Sequence, residues 1–395
     1  MTKILLISMS IIVQLGAQNL TEILESLHSS NKAQMIQEKA KVQRLQSQDL
    51  NYYDAPSLFG SYAHVDTATE NGAEYAIGIS QSIVNPLGTT SKKRAVTNAV
   101  NAINQEAKHE LHILTLNAIS HYYRSCVSKE MHETSSSLYE EQLKRYKQIQ
   151  KAYELGEISK KDLLFNKLDL VKLKKNISAF KRMYLNDFSN LQSMLDSIEL
   201  TTLSCTDVQK PSSHVALNPI EEHGEIRVLE YKKNESASLY KLSSASMQEI
   251  GYELVYEKER DVSRYTVGLS IPLGGFTSQK ESVAAQHLGM LQSYTYEQEA
   301  KKSEIEKYTE SSLAKLFVMN EELDVFKNEI LPVNKELVVL SQSALDAGEG
   351  NVMEYLDATR SYALNLLEML KIKKDYYKEL FELYKVADLD YGEAK

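Results

Sequence analysis

Large and small side chains alternate in short stretches of the chain. In Tyr75–Ile83 the odd positions are Tyr75, Ile77, Ile79, Gln81 and Ile83, and the even ones Ala76, Gly78, Ser80 and Ser82. Tyr265, Val267, Leu269 and Ile271 alternate with Thr266, Gly268 and Ser270. A partner run precedes each. Ile250, Tyr252, Leu254 and Tyr256 alternate with Gly251, Glu253, Val255 and Glu257; the run near Leu58 to Asp66 alternates less cleanly. A period of two predicts strands with one large apolar face and one small or polar face. Each run is about ten residues, the length a tilted barrel strand needs to cross a bilayer. The same pattern also suits soluble hairpins packed on another layer.

Helical periodicity occupies most of the rest. From Leu87 to Leu155 no Pro or Gly interrupts the chain apart from Gly88. Val96, Val100, Ile103, Ala107, Leu111, Leu114, Ala118, Tyr122 and Cys126 form one stripe there. Ile305, Tyr308, Ser312, Leu316, Met319, Leu323, Phe326 and Ile330 form another. Spacings of three and four predict coiled-coil-like packing. Pro332 lies within the second pattern and is expected to bend or break it. Each long helix is expected to turn back at a Gly, Gly156 or Gly348, into a further helix at about Ser159–Asp196 and Asn351–Asp388.

These elements come twice. Tyr75-Ala-Ile-Gly78-Ile-Ser80 recurs as Tyr265-Thr-Val-Gly268-Leu-Ser270, and the tip glycines Gly156 and Gly348 follow in the same order. The reading is two internal repeats of helix, strand, strand, long helix, helix. The first spans 18–202, with strands at about 57–66 and 74–83 and a hairpin at about 87–197. The second spans 224–395, with strands at about 249–258 and 263–272 and a hairpin at about 276–388. Between them runs a Pro- and Ser-containing linker, 203–223. Lys3 followed by the apolar run Ile4 to Val13 reads as a secretory signal, 1–17, with the cut expected after Ala17; a buried first helix is the alternative.

Composition narrows the classes. The 395 residues hold only 15 Gly and 6 Pro, which favours few, long elements. A net charge of -9 without a basic tract argues against nucleic acid as a partner. The 24 Tyr against 8 Phe and no Trp suit places that are dry at one end and wet at the other. Cys126 and Cys205 pair only if the fourth helix ends and the linker folds back, which stays open at this level. His109 and His112 stand at i, i+3, and Cys205, Asp207, His214 and His223 share the linker; both sets read more readily as solvated side chains than as metal ligands. No catalytic motif is present, so the chain is read as a non-enzyme without cofactor or metal.

Four segments resemble the TolC-like outer-membrane efflux protein family. They are Ala55-Pro56-Ser57-Leu58-Phe59-Gly60-Ser61-Tyr62; the crossings Tyr75–Thr90 and Tyr265–Gly275, above all Val267-Gly-Leu-Ser-Ile-Pro-Leu273; the tips Tyr153-Glu-Leu-Gly156-Glu and Ala344-Leu-Asp-Ala-Gly348-Glu; and Met353-Glu-Tyr-Leu-Asp-Ala-Thr-Arg360. The doubled order of these segments, more than any one of them, carries the resemblance.

The resemblance implies a mostly α fold with a transmembrane β-barrel, in which a homotrimer shares a twelve-stranded barrel continuous with a long periplasmic helical tunnel. Tyr75, Ile77, Ile79, Tyr265, Val267 and Leu269 would then face outer-membrane lipid. Glu354 and Asp357, six and nine positions after Gly348, would line the periplasmic aperture, with Asp162 at the matching place in the first half. Both Glu354 and Asp357 fall on one helix face; ordinary acids at a helix N-terminus are the plainer account. Gly156, Glu157, Gly348, Glu349 and Gly350 would form tips that dock a periplasmic adaptor (a membrane fusion protein) coupled to an inner-membrane transporter. The implied role is a passive exit duct at the outer membrane. The alternatives are the adaptor itself or a periplasmic coiled-coil scaffold.

Overall fold

A computed structural model of the chain describes residues 18–48, 55–66, 71–84, 86–196, 200–206, 219–245, 249–259, 261–271 and 278–391. The expected signal segment, Asn85, Asp207, His214, Gly274 and Gly275 lie outside them. The element order is α1 (Leu20–His28), α2 (Asn31–Gln48), β1 (Ser57–Asp66), β2 (Asn71–Val84), α3 (Pro86–Glu154), α4 (Lys160–Leu195), α5 (Gly224–Ser244), β3 (Glu249–Lys258), β4 (Ser263–Ser270), α6 (Ser278–Val325), α7 (Leu331–Asp346) and α8 (Val352–Val386). No described helix is long and apolar enough to cross a membrane. The chain divides into two compact units. A helical unit gathers Met1–Met35, His112–Leu217 and Lys307–Lys395; the other gathers Ile36–Leu111 and Asn218–Glu306. Each unit draws on both halves of the sequence.

The second unit holds a four-stranded antiparallel sheet in the order β1-β2-β3-β4. Register fixes its faces, because residues directly opposite share a side. Leu58, Ile79, Leu254 and Val267 stand side by side, with Ile77 and Tyr256 in the next paired row. Leu58, Ile77, Ile79, Leu254 and Val267 are exposed, Leu58 at 78% and Val267 at 77%. Towards the hairpin turns, Tyr62 opposes Tyr75 and Tyr256 opposes Tyr265. The Tyr75 and Tyr256 rings lie 6.3 Å apart and the Tyr256 and Tyr265 rings 5.1 Å apart, so tyrosines form a row along one margin of the band.

The opposite face carries Ser57, Ser80, Glu253 and Gly268 in one line, and Ala76, Glu257 and Arg264 in another. Phe59 departs from this pattern. It opposes Gly78, and a Cβ on Gly78 would lie 2.3 Å from its ring. The glycine is what gives that ring its place.

Also in this unit, His223 caps α5 by accepting from the Glu225 N–H at 3.2 Å. His109 of α3 lies over Gly224, where a Cβ would sit 2.6 Å from its Nδ1. Its Nε2 is 3.5 Å from Glu225, which also meets Lys301 at 2.9 Å. The His109 hydrogen bond, opposed by burial and helped by Lys301, holds the Glu225 carboxyl down at about 2.

The helical unit owns the main core. Leu116, Ile119, Tyr122, Tyr123, Val127 and Met131 of α3 pack with Leu191 and Leu195 of α4 and Leu370, Leu380 and Phe381 of α8. From the expected α3 stripe, Ala118, Tyr122 and Cys126 are buried here, but Ser120, Tyr123, Ser125 and Val127 are buried too. The helix is covered on more than one side at this level, so a single stripe understates its burial.

Asp187 of α4, only 2% exposed in its side chain, meets Lys374 of α8 at 2.6 Å and Arg124 of α3 at 3.3 Å. Ser128 of α3 donates to it at 2.9 Å. One buried carboxylate thus ties three helices, with enough partners to offset its desolvation. Cys126 and Cys205 form a disulfide, 79 residues apart in sequence, with Cα atoms 5.5 Å apart. It fastens a strap, residues 200–206, to α3. Leu200 and Leu203 of the strap are buried, and Gln18 pairs with it through the Thr202 carbonyl and the Ser204 N–H.

The α-helical pattern is interrupted just before Pro332. A π turn, Phe326–Ile330, intervenes, and the Leu331 N–H reaches back to the Phe326 carbonyl. Pro332 then falls in the first turn of α7, where its missing N–H is tolerated.

His109 and His112 go to different partners. His112 lies between Asp388 at 3.6 Å and Asp390 at 3.4 Å. Among the described residues no group of three or more His, Cys, Asp or Glu gathers for a metal ion.

Candidate functional site

The ends of the two helical hairpins, both within the helical unit, are built alike. Helix α3 closes with Gly156 at φ 78°, and α7 with Gly348 at φ 75°. In the first tip the Glu157 N–H bonds to the Ala152 carbonyl at 2.9 Å and the Gly156 N–H to Tyr153 at 3.0 Å. In the second, Glu349 bonds to Ala344 at 3.0 Å and Gly348 to Leu345 at 3.1 Å. This is the same double closure of a helix C-terminus, and it demands a left-handed residue that only Gly supplies freely. Three residues after each glycine a polar side chain caps the next helix. Ser159 accepts from the Asp162 N–H at 3.2 Å, and Asn351 from the Met353 N–H at 2.9 Å.

Two residues after the left-handed glycine the first tip has Ile158 and the second Gly350. A Cβ on Gly350 would lie 2.7 Å from the Leu345 nitrogen and 2.8 Å from the Ala344 carbonyl carbon. At Gly156 and Gly348 alike a Cβ would meet nothing within 4 Å. The crowding in the second tip is thus confined to Gly350, where backbone leaves no room for a side chain.

The candidate aperture acids stand in three different settings. Glu354 is exposed in the first turn of α8. Asp162 belongs to the α4 cap, where its carboxylate accepts from the Ser159 hydroxyl at 2.7 Å. Asp357 accepts from Nη1 of Arg360 at 2.9 Å. The guanidinium does not stop there. Its Nε donates to Asp169 of α4 at 2.7 Å, and its Nη2 donates to the same carboxylate.

Arg360 therefore joins the second hairpin to the first and compensates Asp357 in the same act. A second arginine works alongside it. Arg145 of α3 lies 4.9 Å over the ring of Tyr355 on α8. The structure brings Glu354 and Asp357 onto one helix face, and it adds Arg360, Asp169 and Arg145, which attention to acidic residues alone passes over. The available signal was Arg360 itself, three residues after Asp357. Around these contacts α4 exposes Leu164, Leu168 and Val171, and α7 exposes Val333, Leu337 and Leu340, each set at i, i+4, i+7.

Tyr75, Ile77, Ile79, Tyr265, Val267 and Leu269 all lie on the apolar face of the sheet and are exposed. β1 and β4 are its edges, each paired on one side only.

No protein-family model matches the chain, and no curated protein sequence matches it. Solved structures do. The chain is similar to the transmembrane channel protein CusC, with 13% identity, a TM-score of 0.77, and coverage of 93% of this chain and 91% of that one. It is similar to the outer membrane protein VceC of Vibrio cholerae, at 11% identity, a TM-score of 0.74, and 93% and 95% coverage. The CmeC outer membrane channel of Campylobacter jejuni aligns at 13% identity, a TM-score of 0.75, and 93% and 85% coverage. The fold is that of the TolC-like outer-membrane channels.

Proposed function

We propose that the chain is a passive exit duct of a double-membraned bacterium's export machinery. Three copies would each give four strands to one barrel and their helices to a periplasmic tunnel. The observation that carries this is the exposed apolar band crossing all four strands of an open sheet, backed by a small and polar face. Four strands cannot close a barrel, since the smallest membrane barrels have about eight. An adaptor or a soluble scaffold would leave that band in water. The exposed i, i+4, i+7 rows on α4 and α7 then meet neighbouring copies. The paired glycine tips are the surface offered to a periplasmic adaptor, and an inner-membrane transporter supplies the energy. The disulfide suits a compartment outside the reducing cytoplasm.

At the entrance, three copies of Glu354 would stand around one axis as a ring of carboxylates that attracts cations. Asp357 contributes less, because Arg360 is already on it. The test has two parts. The full-length protein is expected in the outer-membrane fraction as a heat-modifiable trimer. In planar bilayers, Glu354→Gln is expected to lower cation preference and block by a trivalent cation more than Asp357→Asn does. A soluble monomer would reject the duct; a trimeric channel indifferent to Glu354→Gln would reject the ring alone.

A further inference from the structure

The disulfide is not symmetrical in its surroundings. Cys126 is 8% exposed, set in the core between Tyr122 and Val127. Cys205 is exposed at the end of the strap. Both border an open cavity of about 320 Å³, whose lining includes Tyr123, Lys129, Lys373 and Tyr377.

The strap reaches Cys126 by contacts that do not need the bond. Leu203 is 2% exposed in the core, and the Tyr122 hydroxyl donates to the Ser204 carbonyl. Tyr122 and Cys126 are one helical turn apart on α3, as Ser204 and Cys205 are adjacent on the strap. Docking Ser204 on Tyr122 therefore delivers Cys205 to Cys126. Thiol–disulfide exchange depends on access to the attacked and attacking sulfurs, and of the two cysteine residues Cys205 is the exposed one and Cys126 the buried one.

We propose that this cavity is a thiol–disulfide exchange site, with Cys205 as the entry sulfur for an external disulfide oxidant and Cys126 as the resolving sulfur. The Cys205 thiolate attacks the oxidant's disulfide, forming a mixed disulfide and releasing one oxidant thiolate. The Cys126 thiolate then attacks the Cys205 sulfur, forming the Cys126–Cys205 bond and expelling the second oxidant thiolate. The chain loses two protons and two electrons, and the oxidant's disulfide takes them up as a dithiol. The partner is a protein of the thiol oxidase class, met only after export; in this respect the inference rests on the export read above. The strap is thereby sealed onto α3 as a covalent step that follows docking.

The test uses the full-length protein in detergent, reduced and freed of reductant, with the aromatic disulfide Ellman's reagent as the oxidant. Cys126→Ser is expected to react through Cys205 at least about tenfold faster than Cys205→Ser reacts through Cys126. The wild type is expected to release two reagent thiolates per chain and keep no adduct by mass. Tyr122→Phe is expected to leave the first release unchanged and slow the second. Equal rates for the two single-cysteine variants, or two adducts retained on the wild type, would overturn the assignment. Protein alkylated before any reduction is expected to carry no label on either cysteine; labelled thiols there would overturn sealing in the cell. None of these readings depends on channel activity, so a failed duct and a failed exchange site are told apart.

Discussion

Gly348 and Gly350 stand two residues apart and constrain the second tip for different reasons. Gly348 is needed for its positive φ, which costs other residues roughly 1–2 kcal/mol. Gly350 is needed because backbone fills the space its side chain would take. Gly156 needs only the first of these. Gly350→Ala is therefore expected to loosen its tip more than Gly156→Ala, read as the rate of proteolysis at each turn. In the proposed duct, Gly348→Val is expected to weaken export more than trimer formation. Both tip glycines were legible in the sequence, because a helix that must reverse writes its left-handed residue into the chain. Arg360 was legible only as half a pair, beside Asp357. Its other partner, Asp169, lies 191 residues away, and nothing local in the sequence announces a contact made by two hairpins packing together. Glu225 was likewise invisible, since its setting comes from His109 and Lys301 on other helices. Its carboxyl titrates at about 2 instead of 4.5, so the stability it lends is full above about 4.5 and is lost as pH falls towards 2. Glu225→Gln is expected to lower the thermal midpoint near neutral pH and to flatten its decline across that acid window.

At the level of elements, the strands test the two faces of the sheet. Arg at Ile79 or Leu269 is expected to cost about 2–4 kcal/mol if these positions lie near a bilayer midplane, and much less at Ser80. Refolding yield into lipid vesicles is the measurement, and equal loss at Ile79 and Ser80 would count against the barrel. Gly78 is the wrong control for this experiment, because any side chain there displaces Phe59. Alternation made β2 and β4 readable, whereas β1 was blurred by Phe59 on the small face and Gly60 on the large one. The long helices were readable from the scarcity of Gly and Pro. What their stripes did not convey was how many neighbours surround α3 between Leu116 and Met131. Heptad counting assumes one seam, and here the strap, α4 and α8 each take a side. Pro332 was expected to bend or break its helix; the helix is interrupted by the π turn just before it, and the proline stands in the first turn of α7.

Across the whole molecule, the doubled order of elements in the sequence becomes two compact units that each borrow from both halves. A chain threaded this way couples its halves at every level, and the disulfide fastens only one of them, the first hairpin with its strap. Closing a loop of 79 residues is worth about 4.5 kcal/mol in the chain-entropy account. The second hairpin has no covalent equivalent, because Cys126 and Cys205 are the chain's only cysteines. The row of Tyr62, Tyr75, Tyr256 and Tyr265 along one margin of the apolar band has an optical consequence. The chain holds no tryptophan at all. A single Trp put in place of Tyr75 or Tyr265 would be the sole long-wavelength emitter, and the proposed barrel would seat it where ring and headgroup meet. Trp at Val267, deeper in the band, is expected to emit further to the blue and to be quenched by bromine placed far down the lipid chains, while Trp at Tyr265 responds to bromine near the headgroup. If the proposed barrel holds, the tyrosine row doubles as the zero mark of a ruler for how deeply the strands sit.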